Sequence, residues 1–408
     1  MRQTTGIKNP FNIIVIVAAL GYFVDIYDLI LFGIVKDTSL TAIGVKEKDI
    51  FFVGAHLLNM QMTGMLLGGI VWGILGDKKG RLSTLFLTIL IYSLANIANG
   101  FVQTVEQYEW FRFIAGFGLA GELGVGVTLV SEVMSKESRG IGTSIVSGIG
   151  IMGAVLGFLI ADLFDWRMAY FVGGGLGLLL LILRISVYES GMFEKTKHEK
   201  VKRGDFFSLF TNKKQIKKYI FTILIGVPVW YLISQLAIQS PTYAKALGIT
   251  DTVIGAKAVM FHYIGASIGS LIFGIVSEKL RSRKKAMYLA TGSLGFFIAV
   301  FFCPLNSSAT FFYGIITLLG LAMGGLWAIF MANAAEQFGT NVRSTVTTTA
   351  PNFVRGTTVL VSIGIASLMN IYGLCSAGLI VGAICVILSL VSIFYSEETY
   401  GKDLDYIE

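Results

Sequence analysis

A chain of 408 residues that is 54% hydrophobic and only 14% charged is not an ordinary soluble domain, where about 25% of residues carry charge. The net charge of +7 does not mark a nucleic-acid binder, because the excess lysines and arginines fall in short loops between apolar runs. Three cysteines, Cys303, Cys375 and Cys385, are scattered through apolar segments, so neither a disulfide framework nor a metal cluster is expected.

The opening "MRQTTGIKNP" leads straight into an apolar run over 11–35. That run is too long for a signal-peptide core and no small-residue cleavage site follows, so it reads as a retained first helix. Further apolar runs lie at 50–75, 82–102, 108–134, 140–161, 167–188, 219–239, 254–277, 286–303, 310–335, 344–368 and 374–395. Each is long enough to cross a bilayer. Helices are expected throughout, since lipid offers no partner to open backbone groups. With the N-terminus placed inside, 23 of the 32 Lys and Arg fall on inside segments, against five outside: Lys36, Lys46, Lys48, Arg167 and Lys245. This bias predicts a multi-pass protein of the cell (inner) membrane with both termini cytoplasmic.

A basic segment, 189–218, divides the chain into two six-helix bundles, 1–188 and 219–395, and 396–408 forms an acidic tail. The halves share a faint repeat. "GGIVWGILGDKKGR" at 68–81 returns as "GSLIFGIVSEKLRS" at 269–282, matching Asp77 with Glu278. "SEVMSKESRG" at 131–140 returns as "AEQFGTNVRS" at 335–344, matching Glu132 with Glu336 and Arg139 with Arg343. Two parallel repeats of six helices predict a transporter whose site lies between the halves at mid-membrane.

"GILGDKKGR" at 73–81 resembles the signature loop of the major facilitator superfamily, and the resemblance extends over essentially the whole chain. It implies that this loop, with Asp77 and Arg81, gates the inward-facing transition. Asp77 can also cap a helix start, while the basic residues face anionic lipid. The second copy has Arg281 where the first has Gly80. "RFIAGFGLAGELGVG" at 112–126 and "VDIYDLILFG" at 24–33 are similar to the branch of metabolite:proton symporters, sugar porters and organic-ion transporters. In proton-coupled sugar porters of that branch, an Asp matching Asp28 pairs with an Arg matching Arg112 as a protonation switch. In organic-ion transporters, anion carriers have Arg at the position matching Arg355. Helix 5 keeps Gly148, Gly150, Gly153 and Gly157 but lacks the Gly-Pro of many proton antiporters, which favours symport.

Charged side chains inside a membrane are costly, about 2.5–3.5 kcal/mol each on insertion scales, and default to functional hypotheses. Asp25 and Asp28 share a helix face. Counting 1.5 Å per residue puts Asp28 near the level of Arg112, and Asp25 deeper, near that of Glu122. Arg355 falls near the midplane. The bland alternatives are a static Asp28–Arg112 pair, packing hydrogen bonds at Asp25 and Glu122, and a structural Arg355. The functional reading makes Asp28, Arg112, Asp25 and Glu122 the proton-coupling groups. Arg355, which stays charged, attracts an anion. Asp25, Glu122, Asn352, Asn59, Trp230, Gln235, Tyr263, Trp327 and Asn333 are further candidates for the substrate cavity, with interhelical packing as the bland reading of each. Glu132, Arg139, Glu278, Glu336 and Arg343 join Asp77 and Arg81 as a cytoplasmic gate of exposed, individually weak ion pairs. His56 and His262 read as structural.

The expected protein is therefore an all-α, twelve-helix secondary transporter that imports a small organic anion, a carboxylate, with a proton. It needs no cofactor beyond the coupling proton. Its partners are the small-molecule substrate and the bilayer, with no nucleic acid, and it is a monomer. The competing reading is an exporter of a drug or metabolite on the same fold. An intramembrane enzyme is disfavoured by the lack of a zinc motif or a Ser/His nucleophile pair.

Overall fold

The computed structural model describes residues 9, 11–135, 138–184, 206–210, 212–303 and 308–406. The first bundle holds α1 (Ile13–Ala42), α2 (Glu47–Lys79), α3 (Arg81–Asn99), α4 (Val105–Leu119), α5 (Glu122–Val133), α6 (Arg139–Ile151), α7 (Gly153–Leu163) and α8 (Trp166–Arg184). The second holds α9 (Lys213–Tyr231), which continues through a π-helical turn at Leu232–Ala237 into α10 (Ser240–Ala246). It then holds α11 (Gly255–Leu280), α12 (Arg283–Phe301), α13 (Ala309–Gln337), α14 (Arg343–Tyr372) and α15 (Leu374–Tyr395). Among the described residues there are no strands.

Among the described residues, ten helical stretches are long and apolar enough to cross a membrane. The other two expected spans are α3, apolar over Ser83–Asn99, and α12, which opens on Arg283, Lys284 and Lys285. Exposed Leu360, Ile363, Ile371, Ile387 and Phe394 belong to a large apolar exterior that suits lipid. Helix starts are set by short polar side chains. Asn12, Thr104, Asn212, Ser282 and Ser308 each accept from backbone N–H groups one turn in, satisfying donors a helix start leaves open. Because Asn212 caps it, α9 begins inside the expected 189–218 linker. Most of that linker lies outside the described residues.

The halves use the same packing device. In the first bundle, a Cβ on Gly64 or Gly68 of α2 would collide with the Phe113 or Phe117 carbonyl of α4. In the second, a Cβ on Gly265 or Gly269 of α11 would collide with the Thr317 or Leu321 carbonyl of α13. Both are glycine pairs four apart that bring two backbones into contact. Between bundles, α14 packs on α2 and α5, and α11 packs on α6 and α7.

Two expected single helices are broken. The fourth span parts at Ala120–Gly121, between α4 and α5, and the fifth at Met152, between α6 and α7. In the second bundle, Pro228 and Pro351 lie inside α9 and α14, and each removes one backbone bond from its helix. These four irregularities flank the space between the bundles.

Candidate functional site

Between the bundles lies a narrow cavity of about 20 Å³, room for about one water in this conformation. The first bundle contributes Tyr22, Ile26 and Ile151, and the second contributes Val229, Trp230, Ile233, Tyr263, Met323, Trp327 and Arg355. Among the described residues of that lining, Arg355 is the one that is formally charged. Its Nη1 donates to Asn352 Oδ1 at 2.8 Å, and its guanidinium carbon is 5.8 Å from the centre of the Trp230 ring. Among the described residues, its Nε and Nη2 find no acceptor. Trp327 Nε1 donates to the Tyr22 hydroxyl at 3.0 Å, a bond that joins the two bundles across the cavity.

Asn352 explains how Arg355 is held. Its amide donates to the Ala120 carbonyl at 3.0 Å and to the Thr348 carbonyl at 2.7 Å. The first of these carbonyls lies at the break between α4 and α5. Asn352 is therefore consumed by protein groups and orients the arginine, where direct substrate contact was expected.

A second charged node lies within the first bundle. Arg112, fully buried, donates to Gln61 Oε1 at 3.3 Å and Asn96 Oδ1 at 3.0 Å. The rings of Phe32 and Tyr170 lie 5.9 and 5.4 Å from its guanidinium carbon. Asp28 is an electrostatic neighbour of Arg112, Asn96 and Asp25, and it abuts Gly173 of α8. Among the described residues, no ion pair within 4 Å joins Asp28 to Arg112. The asparagine and glutamine amides take the guanidinium instead.

The face carrying the α2–α3 turn, the start of α14 and the chain's tail is the basic face. Here the two repeats meet. Asp77 accepts from the backbone N–H of Ser344 at 3.2 Å, and from the N–H and hydroxyl of Thr345 at 2.7 Å each. It thus caps α14, a helix of the other bundle. Arg343 pairs with Glu132 across the bundles at 3.0 Å, both side chains fully buried. Arg283 holds Glu336 through Nε at 3.1 Å and Nη2 at 3.0 Å, and Glu278 at 2.9 Å. These pairs are buried, contrary to the expected exposed network, and so each partner is costly to remove alone. The turn after α2 uses Gly80 at φ 109°, while its counterpart Arg281 caps α11 in the left-handed region at φ 48°. The side chain of Arg81 lies outside the described residues.

Several candidates stand elsewhere than expected. Asp25 is buried beside Tyr22 and Asp28 but does not line the cavity. Tyr22 and Ile26 face the cavity; at 100° per residue Asp28 lies well round the helix from them, and Asp25 lies between Tyr22 and Asp28, off the lining. Glu122 is buried in the first turn of α5, where the helix's positive end favours an anion, and it too is absent from the lining. Asn59 is exposed, two residues from both Leu57 and Gln61 and hence on the opposite face of α2. Gln235 donates to Ser362 at 3.2 Å, tying the π turn to α14. Asn333 is buried near the basic face, donating to Thr399 Oγ1 at 3.1 Å. His56 meets Glu109 at 3.0 Å on a half-exposed surface, and His262 is buried between α11 and α13.

Tyr22, Arg283 and the tail were not singled out by sequence. Tyr22 looks like one more aromatic in an apolar run. Arg283 hides in the "RSRKK" cluster. The tail's signal is its polar side chains: Glu398 accepts from the Ser282 hydroxyl and from the backbone of Arg283 and Lys284. Burial pushes its carboxyl up, but those bonds outweigh it and hold the group below the usual glutamate range.

The Major Facilitator Superfamily family model matches residues 11–355 and 234–404. A protein of Cupriavidus pinatubonensis, named as a probable 4-methylmuconolactone transporter, is 24% identical over 92% of this chain and 87% of its own. The benzoate transport protein of Acinetobacter baylyi is 23% identical over 83% of this chain and 79% of its own. Among solved structures, the proton:xylose symporter XylE bound to 6-bromo-6-deoxy-D-glucose superposes with a TM-score of 0.75. It covers 96% of this chain and 97% of its own at 15% identity, which speaks to the fold alone.

Proposed function

Because this chain belongs to the major facilitator superfamily, we propose that it imports a small aromatic or otherwise planar monocarboxylate together with a proton, by alternating access between its two bundles. The observation that carries this reading is Arg355, a buried guanidinium with two nitrogens that find no acceptor among the described residues, set in a wall of Trp230, Tyr263, Trp327 and Tyr22. One cation suits one carboxylate, and a guanidinium can grip both of its oxygens. The aromatic walls suit a flat apolar body better than a sugar, which would leave its hydroxyls unmatched. The relatives named for benzoate and for a methylmuconolactone support an organic acid.

The proton is assigned to Asp28. Beside Arg112 and Asn96, a charged Asp28 is balanced by the guanidinium. Protonation removes that attraction and leaves Arg112 held by Gln61 and Asn96 alone. Binding the anion at Arg355 and the proton at Asp28 together leaves the loaded site no more charged than the empty one, which lowers the cost of the occluded state. The basic face is placed in the cytoplasm, in keeping with the excess of Lys and Arg on it.

The test is a thermal-shift screen of benzoate and related acids at two pH values, then uptake into proteoliposomes with an inward proton gradient. Benzoate-type acids are expected to raise Tm and to accumulate. Normal uptake by Arg355→Ala would overturn the anion assignment, and efflux coupled to inward proton flow would make the protein an exporter.

A further inference from the structure

We propose that residues 399–406 form a strap that latches the basic face shut, replacing one of the two ion pairs that the pseudo-twofold repeat would otherwise place there. Each bundle brings a glutamate at a helix end and an arginine at the next helix start: Glu132 with Arg139, and Glu336 with Arg343. Twofold symmetry calls for two crossed pairs. Glu132–Arg343 closes at 3.0 Å. Among the described residues, Arg139 and Glu336 form no ion pair within 4 Å, because Arg283 of the same bundle grips both oxygens of Glu336. Arg139 Nη1 reaches the Lys402 carbonyl of the tail at 3.3 Å instead.

The tail answers both arginines. The Leu404 carbonyl accepts from Arg343 Nη2 at 2.6 Å and from Thr340 Oγ1 at 3.1 Å. The Thr340 N–H donates to the Tyr406 carbonyl at 2.9 Å, and the Tyr406 hydroxyl donates to the Gln337 carbonyl at 2.6 Å. Thr399 donates to Glu336 Oε2 at 2.8 Å. Leu404 and Thr399 are completely buried. A tail of this composition has no reason to order itself unless it is bound, since ordering each residue costs about 1–2 kcal/mol.

Among the described residues, Thr399, Leu404 and Tyr406 bond to the second bundle, and Arg139 of the first bundle donates to the strap. If the bundles rock apart as the proposed alternating access requires, the strap travels with the second bundle and the Arg139–Lys402 bond must break. The strap therefore weights the equilibrium toward the state closed on the basic face. Its acceptors are backbone carbonyls, so its length and the buried Leu404 matter more than its other side chains.

The experiment reads access and needs no substrate, so it stands whether or not a carboxylate is transported. Cys303, Cys375 and Cys385 are first replaced by Ser. One cysteine is then introduced at Thr347, which is buried between the bundles against Thr128. A control carries the cysteine at Ala169, which is buried within the first bundle. The rate of labelling by a membrane-impermeant maleimide is measured on the purified protein in proteoliposomes. Deleting residues 399–408 is expected to speed labelling at Thr347→Cys about tenfold, the size of one lost charged hydrogen bond, and to leave Ala169→Cys unchanged. Leu404→Asp, which keeps the full chain, should act in the same direction and decides the matter if the truncated chain does not fold. An unchanged rate at Thr347→Cys, or an equal rise at both positions, overturns the strap.

Discussion

Arg112 and Arg355 are both fully buried, one in each bundle; among the described residues Arg112 leaves only Nε without an acceptor, while Arg355 leaves Nε and Nη2. Arg112 is enclosed by Gln61, Asn96, two aromatic rings and a nearby carboxylate. Arg355 is fixed by Asn352 on one side and lines an aromatic cavity, with two nitrogens that find no acceptor among the described residues. A cation closed off by its own protein can serve as a latch or a switch, and its loss strands what surrounds it. A cation that lines a cavity with two donors in reserve has hydrogen-bonding capacity left for a ligand. That difference is what the proposed division, coupling in the first bundle and anion recognition in the second, rests on.

Four measurements can break or sharpen this contrast. Arg355→Ala should lower carboxylate uptake at least ~100-fold, the loss of a two-bond charge-assisted grip, while the variant stays folded by size exclusion. Arg355→Lys keeps the charge and should recover only part of that loss. Arg112→Ala should destabilise the fold by about 2–5 kcal/mol, because the buried acceptors Gln61 and Asn96 lose their donor, at about 1–3 kcal/mol each. Arg355→Ala should cost clearly less in the same thermal unfolding assay, and equal Tm losses would erase the distinction. Asp28→Asn should abolish accumulation driven by a proton gradient yet keep counterflow exchange within a few-fold, because the amide mimics the protonated acid; loss of both would make Asp28 structural. Asn352→Ala is the mildest. It should raise KM about tenfold by loosening Arg355, with the maximal rate retained, as expected for one lost positioning bond.

The pair of glutamate–arginine motifs teaches how far a repeat can be read. Their matching positions are visible in sequence, and so is the chance of crossed pairing. Which pair closes is not visible, because Arg283 competes for Glu336 from a position that has no special spacing. The same holds for Asp77. Its aptitude for capping a helix follows from its chemistry, but the helix it caps belongs to the other bundle, 267 residues away from its first partner. Asp25 and Asn333 show the reverse. Each is a polar residue in an apolar run and thus a fair cavity candidate, yet one lies off the cavity lining and the other meets the tail.

The sequence by itself determined the class and the frame: an all-α membrane protein of two repeated bundles, with the family to which it belongs and a short set of intramembrane charges. Apolar length, backbone satisfaction in lipid and repeat spacing suffice for that, because each acts along the chain. Tertiary structure alone decided which charges face a cavity, which are consumed by neighbours, and that an acidic tail is built into the basic face. Those outcomes depend on rotation about each helix axis and on competition among donors from distant segments. One residue of helix turn, 100°, is enough to move a side chain from the cavity lining toward the interior of its own bundle.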